Sequence, residues 1–322
     1  MHNSAGSLEE GNIWVAENDQ EIVGFYAIMP ERLKIGKETI TCAQSVDTAV
    51  NPNYRRLGIF NKLAQNVYSD SKNRYKFIYG FPSKMACNGF LQMGWKGFHA
   101  DEYVKFANDQ LPDSFSSNSI YKLLGKVFLK TYRTSRISSI SKEKQSESLE
   151  IQHINAFSEE IEDFWAIARL QYPIVMERNL NFLNWRFSKF FGDYEIYIGR
   201  SLEDGKIKGY AVLKKTKILD VDNVLEIVDL WALPGKESFV FDITKLAIEK
   251  SEKENYSLIH YRAPSWHKHS SILQKFGFLK INQYLKLFQM YQPWAIYYDY
   301  GNKQELPNFN HWLYTMADTD YA

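Results

Sequence analysis

Residues 55–60, with the sequence Arg-Arg-Leu-Gly-Ile-Phe, have the composition of a loop that binds a phosphate group. They follow a strand-like run that ends at Val50 and precede a helix that is expected to begin near Gly58. At such a junction the first N–H groups of the helix point toward one position, and the helix dipole adds positive potential there. Gly58 has no Cβ to block a phosphate, and Arg55 and Arg56 supply charged donors. The loop therefore predicts a pyrophosphate site.

Hydrophobic patterning predicts the elements that position this loop. Their order, β-β-β-α-β-α-β, is typical of an α/β (α+β) domain in which helices cover a mixed sheet. The predicted elements are strands at 13–17, 22–29 and 39–50, a helix at 58–72, a strand at 76–81, a helix at 84–93 and a strand at 95–106.

The second half of the chain repeats this pattern. Residues 207–213 (IKGYAVL) match 22–28 (IVGFYAI), and residues 228–234 (VDLWALP) match 46–52 (VDTAVNP). A strand and two helices precede the second copy, and the first copy has no room for their equivalents. The sequence therefore predicts two such sheets, the first without its N-terminal strand and helices. We expect another segment, the linker or a partner subunit, to supply the missing strand.

The repeat predicts three regions. Residues 1–109 form the first, N-terminally short domain, and residues 149–322 form a second domain that ends in an aromatic tail. Between them, residues 110–148 form a Ser-rich linker with one amphipathic helix. Lysines on that helix are compatible with packing against a domain or with an acidic partner or membrane surface.

Residues 46–63 (VDTAVNPNYRRLGIFNKL), with Gly94-Trp95 closing the unit, resemble the GNAT superfamily of acyl-CoA-dependent N-acyltransferases. The matching motif is the Arg/Gln-x-x-Gly-x-Gly/Ala loop that binds coenzyme A. The resemblance implies acetyl-CoA, or another acyl-CoA, as co-substrate and no metal. It implies that the pantetheine arm pairs with the end of the third strand and that loop amides hold the diphosphate. The implied cofactor-binding residues are Thr48, Ala49, Val50, Arg55, Arg56, Leu57, Gly58, Ile59 and Phe60.

Two positions depart from the family pattern. Phe60 stands where Gly or Ala is usual, but only its backbone is needed to bind the cofactor. Phe90 stands where the family frequently has a tyrosine general acid, and a phenyl ring cannot donate a proton. The loss is tolerable because the leaving group is a thiolate, whose thiol has a pKa of about 8.5.

The implied reaction is attack of an amine on a thioester carbonyl, which needs a base and donors for the oxyanion. Asp47, on the strand that leads to the loop, is the predicted catalytic base. The second copy keeps Asp229 at the matching position, although no Arg-x-x-Gly loop follows Pro234. A structural role for Asp47 therefore stays open, and the second domain is predicted to bind no acyl-CoA. The weaker candidates for the base are His99, Asp101, Glu102 and Tyr103.

Composition excludes several other classes of protein. Lys+Arg 39 against Asp+Glu 38 gives no overall field that would attract nucleic acid. No apolar run approaches the roughly 20 residues of a membrane span. Cys42 and Cys87 match neither a disulfide framework nor a metal site. We expect a cytoplasmic protein, and the sequence is compatible with a homo-oligomer.

The leading interpretation is an N-acyltransferase, in the simplest case an N-acetyltransferase, that acts on a small-molecule amine. The aromatic tail suggests an amino sugar as the acceptor. An alternative of a different class is a non-catalytic acyl-CoA-binding or scaffolding protein of the same fold, which Phe90 and the short first copy favour. A relative that transfers an aminoacyl group from tRNA is disfavoured by the near-neutral charge and the intact loop.

Overall fold

The computed structural model of the chain describes residues 12–99, 101–107, 149–218, 221–281, 294–300 and 308–319. These residues form two units. Unit 1 contains residues 12–99, 172–177, 294–300 and 308–312, and unit 2 contains the rest. Each unit is a mixed sheet flanked by helices, so the predicted fold class is confirmed. The predicted linker helix lies outside the described residues.

The predicted elements of the first hundred residues are present, except that the strand expected at 95–106 is two strands. Gly36, with φ 59°, supplies the left-handed conformation of the turn between the second and third strands. The elements are β1 (Ile13–Asn18), β2 (Glu21–Ile35), β3 (Glu38–Val50), α1 (Ile59–Ser71), β4 (Phe77–Gly80), α2 (Lys84–Gln92), β5 (Lys96–His99) and β6 (Asp101–Phe106).

The second half of the chain also contains the predicted order of strands and helices, with three additional short strands. Its elements are β7 (Leu149–Ile154), α3 (Glu160–Ala168), β8 (Ile174–Met176), α4 (Leu180–Arg186), β9 (Tyr194–Ser201), β10 (Ile207–Ile218), β11 (Val221–Ala232), α5 (Ser238–Lys253), β12 (Leu258–Ala263), α6 (Lys268–Lys275), β13 (Leu279–Ile281), β14 (Trp294–Asp299) and β15 (Trp312–Leu313).

The sheet of unit 1 has the strand order β15-β8-β2-β3-β4-β14-β5, with β1 paired to the first part of β2. Because α1 connects β3 to β4, these two strands are parallel, whereas β2 and β3 form an antiparallel hairpin. Three strands of this sheet, β8, β14 and β15, come from the second half of the chain. The boundary expected at residue 149 therefore does not separate the two units.

The sheet of unit 2 has the strand order β13-β6-β12-β11-β10-β9-β7. β6 lies between β12 and β13 and is antiparallel to both. The single strand predicted at 95–106 is therefore wrong, because its two parts pair in different sheets. The run of apolar residues does not reveal this break, since each part is extended and has a buried ladder partner.

Both α-helices described at the start of unit 1 pack on one face of its sheet. Leu63, Ala64 and Val67 of α1 recur at helical spacing and contact a buried core that includes Tyr26 and Phe90. The borrowed strand expected beside β1 is not among the described strands, since in this part of the chain β1 pairs with β2 alone.

Candidate functional site

An opening between β3 and β4 is the central feature of unit 1. The two parallel strands pair only through Ala43 with Ile78 and Gln44 with Tyr79. β3 continues to Val50, so its backbone groups on the β4 side extend past the last pair. An extended ligand could therefore add to β3 as a strand does, through main-chain hydrogen bonds.

The loop after β3 leads directly to the start of α1. A turn at Pro52–Tyr54 is closed by the side chain of Asn51, which accepts a hydrogen bond from Asn53 N at 3.1 Å. Gly58 is the N-cap of α1 at φ 75°, and no side chain caps the helix. A Cβ added to Gly58 would meet no heavy atom within 4 Å. The first N–H groups of α1 have no partner inside the helix, and the N-cap beside them has open space where a side chain would stand.

The two arginines of the loop have different backbone roles. Arg55 Nε donates a hydrogen bond to the carbonyl of Val50 at 3.3 Å, which ties the loop to the end of β3. Arg56 adopts φ 67°, a left-handed conformation that turns the chain toward Gly58. Both side chains, and that of Leu57, are exposed. The loop is thus a short positive surface beside a helix N-terminus, as anion binding requires.

The side chain of Phe60 points into the core of unit 1. Its ring lies 5.3 Å from that of Phe90 and 6.4 Å from that of Tyr26. A Cβ on Gly89 would come within 3.3 Å of the Phe60 ring, so glycine at that position makes room for it. Phe60 can therefore offer only its backbone to a ligand, as the sequence predicts. Phe90 is buried beside it, and its ring also packs 4.8 Å from Trp95.

Asp47 lies at an irregularity of β3. Tyr26 pairs with Thr48 and Ile28 pairs with Ser45, so Val46 and Asp47 together face the single residue Ala27. This is a β-bulge, which turns side chains out of the regular alternation. The carboxylate is exposed and makes no hydrogen bond or ion pair with any residue that the structure describes.

Asp229 occupies the same register in unit 2. Val212 pairs with Asp229 and Leu213 with Ile227, so β11 carries a bulge where β3 does. Asp229 is fully buried, however, and accepts hydrogen bonds from four side chains. The donors are Arg178 Nε at 2.9 Å, Tyr210 Oη at 2.8 Å, Trp231 Nε1 at 2.9 Å and Thr315 Oγ1 at 2.9 Å. The matching carboxylates thus have opposite environments, and Asp229 is structural.

The helix that follows β11 does not offer the cradle seen at α1. The N-cap of α5 is Glu237, whose carboxylate would repel a phosphate. Phe239 is fully buried over Gly199 and Gly209, where an added Cβ would lie 2.4 Å and 2.3 Å from its ring. Charge and packing at this helix start therefore both differ from those at Gly58.

A second pair of facing residues occupies the same position in both units but differs in charge. Gln44 and Tyr79 of unit 1 correspond to Glu226 and His260 of unit 2, which are paired in the same way. Tyr79 Oη donates to Gln44 Oε1 at 3.3 Å, whereas His260 Nδ1 lies 2.8 Å from Glu226 Oε1. Burial opposes a charge on His260, but the nearby carboxylates of Glu226, hydrogen-bonded to Nδ1, and of Glu102, 3.7 Å from Nε2, raise its pKa to about 9.

We expect unit 2 to lose stability as the pH rises from 6.5 to above 9. Because the folded-state pKa of His260 is raised, its stabilising contribution is complete below the unfolded value and is lost as the pH passes through about 9. That contribution is about 3 kcal/mol. Denaturant unfolding across this range should show the decline, and His260→Gln should flatten it. The exposed His153→Gln variant should keep the wild-type slope, and an unchanged slope in His260→Gln would contradict the assignment.

Of the four weaker candidates for a catalytic base, His99 ends β5 in unit 1, whereas Asp101, Glu102 and Tyr103 have structural partners in unit 2. Asp101 Oδ1 lies 2.9 Å from Lys280 Nζ, and Glu102 Oε1 accepts a hydrogen bond from Arg262 at 3.0 Å. Tyr103 is buried in the core. Their strand, β6, belongs to unit 2, so the sequence placed them in the wrong sheet.

The remaining sequence features are also packed inside the protein. His267 and His269 are buried with their ring centroids 4.2 Å apart, and burial lowers the pKa of His269 to about 4. In the tail, Tyr298 stacks on Tyr68 at 4.1 Å and Trp312 is fully buried. Tyr298 and Trp312 thus pack on other residues of the protein. Within the described ranges, no group of three or more His, Cys, Asp or Glu is placed to hold a metal ion.

Among the described residues, no helix has the length and apolar character needed to cross a membrane.

The first part of the chain is similar to a known family of protein domains. Residues 2–97 match the family model of the acetyltransferase (GNAT) domain. The sequence shows no significant similarity to any curated protein.

Solved structures with the same fold include three bacterial proteins. One from Enterococcus faecalis V583, reported as a protein of unknown function and a probable N-acyltransferase, is 12% identical with a TM-score of 0.62, over 89% of this chain and 62% of that one. The chain is also similar to a GCN5-related N-acetyltransferase from Anabaena variabilis ATCC 29413, with 12% identity and a TM-score of 0.59 over 90% of this chain and 63% of that one. A GCN5-related N-acetyltransferase from Kribbella flavida is 14% identical, with a TM-score of 0.51 over 90% of this chain and 60% of that one. At these identities the likeness is one of fold, and the chain spans about three fifths of the length of these proteins.

Proposed function

We propose, from the premise that residues 2–97 form an acetyltransferase (GNAT) domain, that the protein transfers an acyl group from acyl-CoA to a primary amine. The observation that carries the proposal is the opening between β3 and β4, which leads directly to the uncapped start of α1. A single extended co-substrate would fit both features: its pantetheine arm along Thr48, Ala49 and Val50, and its diphosphate at residues 55–60. Acetyl-CoA contains both a pantetheine arm and a diphosphate.

In the proposed reaction Asp47 removes a proton from the ammonium group of the acceptor. The free amine attacks the thioester carbonyl, so that a C–N bond forms and the C–S bond then breaks, and the second amine proton passes to solvent. Because Val46 and Asp47 lie outside the β2 register, a backbone N–H of this bulge can donate to the oxyanion. Phe90 supplies no proton, so the coenzyme leaves as thiolate.

Two features support one acyl-CoA site per chain, in unit 1. The helix N-terminus in unit 2 carries Glu237 where α1 has Gly58, and the buried Asp229 is already saturated with donors. Calorimetric titration with acetyl-CoA should therefore give a stoichiometry of one. A cofactor bound at the start of α5 would contradict this assignment.

The test of activity is release of free thiol from acetyl-CoA, followed with a thiol-reactive dye in the presence and absence of a primary amine. We expect thiol release that depends on the amine, with N-acetylated product confirmed by mass spectrometry. Binding of acetyl-CoA without any amine-dependent release would favour the alternative, a non-catalytic acyl-CoA-binding protein of the same fold.

A further inference from the structure

On β1, β2 and the end of β3, the face of the unit 1 sheet that carries Asp47 is apolar, and none of the described residues covers it. Val15, Phe25 and Ala49 lie directly opposite one another on β1, β2 and β3, so their side chains share one face. Ile13, two residues before Val15, lies on the same face. Ile13 is 57% exposed and Val15 52%, Ala49 is exposed and Phe25 is partly buried. We call these four residues the apolar strip.

Unit 2 shows that Asp47 must border this strip. Asp229, its register equivalent, bonds to the side chains of Tyr210 and Trp231, which match Phe25 and Ala49. The aspartate at this bulge therefore faces the same side of the sheet as those two positions. In unit 1 the two donors are replaced by a phenyl ring and a methyl group, and the carboxylate is left free.

The same face in unit 2 is covered by α3 and the residues that precede it. Tyr210 packs 5.3 Å from Phe157 and 5.7 Å from Phe164, and Trp231 packs 5.2 Å from Trp165. In unit 1, α1 and α2 both pack on the opposite face, in the core around Tyr26 and Phe90. Within the described residues, unit 1 thus presents as an open surface what unit 2 fills with aromatic side chains.

We propose that the apolar strip binds the acceptor and selects a primary amine carried on an apolar alkyl or aryl body. This inference rests on the proposed function, since Asp47 acts there on the ammonium group. The exposed carboxylate complements one positive charge, and the strip complements an apolar body beside it. The strip offers no side-chain donor or acceptor to sugar hydroxyls, so an amino sugar would lose water without gaining hydrogen bonds.

The test compares two primary amines, 2-phenylethylamine and glucosamine, as acceptors in the acetyl-CoA thiol-release assay. We expect kcat/KM for 2-phenylethylamine to exceed that for glucosamine by about tenfold or more, the range that apolar pocket contacts provide. Val15→Asn should lower kcat/KM for 2-phenylethylamine by about tenfold and reduce the preference for 2-phenylethylamine over glucosamine. Val15 is exposed, so the variant should fold, and its unfolding curve verifies this.

Leu202→Asn is the matched control, because Leu202 is a 65% exposed apolar residue that belongs to unit 2 and not to the strip. It should not change the preference between the amines. Equal or higher kcat/KM for glucosamine, with turnover intact, would overturn the inference and leave the proposed function standing. No turnover with either amine would overturn both. If Val15→Asn changes the molecular mass measured by sedimentation but not the amine preference, the strip joins two copies of the chain. That result would also overturn the inference.

Discussion

Gly58→Trp should abolish binding of acetyl-CoA while the protein stays folded. A Cβ at this position meets nothing within 4 Å, so the indole would project into the space in front of the first turn of α1. It would displace the diphosphate from N–H groups whose hydrogen bonds to a charged ligand contribute about 1.5–3 kcal/mol each. Loss of two such bonds weakens binding by about 100-fold or more, which isothermal titration calorimetry will detect.

Gly36→Trp is the matched control for this experiment. Gly36 also lies in unit 1, has φ 59° against 75° for Gly58, and has open space where a Cβ would point. Both variants therefore pay the same backbone strain, roughly 1–2 kcal/mol for a left-handed residue with a side chain. We expect Gly36→Trp to bind acetyl-CoA as the wild type does. Equal affinities in wild type, Gly36→Trp and Gly58→Trp would exclude residues 55–60 as the diphosphate site.

The sequence was sufficient to predict the elements and the loop, because both depend on local patterns. The helical spacing of Leu63, Ala64 and Val67 and the glycine at the expected start of the helix are properties of a few consecutive residues. Asp47 and Asp229 could be matched in advance because the two halves share the Val-Asp pair, whereas the bulges at these positions are visible only in the structure.

Pairing between distant strands could not be predicted from the same patterns. β14 inserts between β4 and β5, and β6 pairs in the sheet of unit 2, although nothing in their sequences names a partner. An extended segment with buried side chains on both faces could form backbone hydrogen bonds with several different strands equally well. The division between β5 and β6, and the unit to which each strand belongs, follow from contacts across about 150 residues or more of chain.

The difference between Asp47 and Asp229 also depends on distant residues. Arg178 and Thr315, two of the four donors to Asp229, lie far from it in sequence. The apolar strip had a local signal that sequence reasoning missed. In the run Ile13-Trp14-Val15-Ala16 both sets of alternating residues are apolar, which indicates that both faces of β1 make contacts.

The apolar strip and the free carboxylate of Asp47 lie on the same open face of unit 1. Burying the face would have required a partner for Asp47, as Arg178 is for Asp229 in unit 2. Leaving the face open keeps the carboxylate hydrated and able to exchange a proton with a ligand. The two bulges therefore provide an internal comparison, in which the same substitution has different expected effects.

Asp229→Asn, the first half of that comparison, should destabilise unit 2 by about 1–3 kcal/mol, the range for a buried polar group left without its partner. The aspartate is buried and paired with Arg178, which keeps Asp318 as a second partner at 2.6 Å, so the loss comes from hydrogen bonds in the core and not from an unpaired charge. The asparagine amide keeps one oxygen and replaces the other by an NH2 group, so it would present a donor to two of the four groups that already donate. Denaturant unfolding should show the loss, whereas the specific activity of the folded protein should stay near that of the wild type.

Asp47→Asn should lower activity and leave stability nearly unchanged. The side chain is exposed and has no bonding partner among the described residues, so the free energy of unfolding should change little. A general base contributes typically about 10²–10⁴-fold in rate, and kcat should fall by that factor while the affinity for acetyl-CoA stays constant. If instead KM for the amine rises and kcat is kept, Asp47 orients the ammonium group without taking its proton. Full turnover in Asp47→Asn would remove Asp47 from the mechanism, and a loss of stability equal to that of Asp229→Asn would assign the two carboxylates the same structural role.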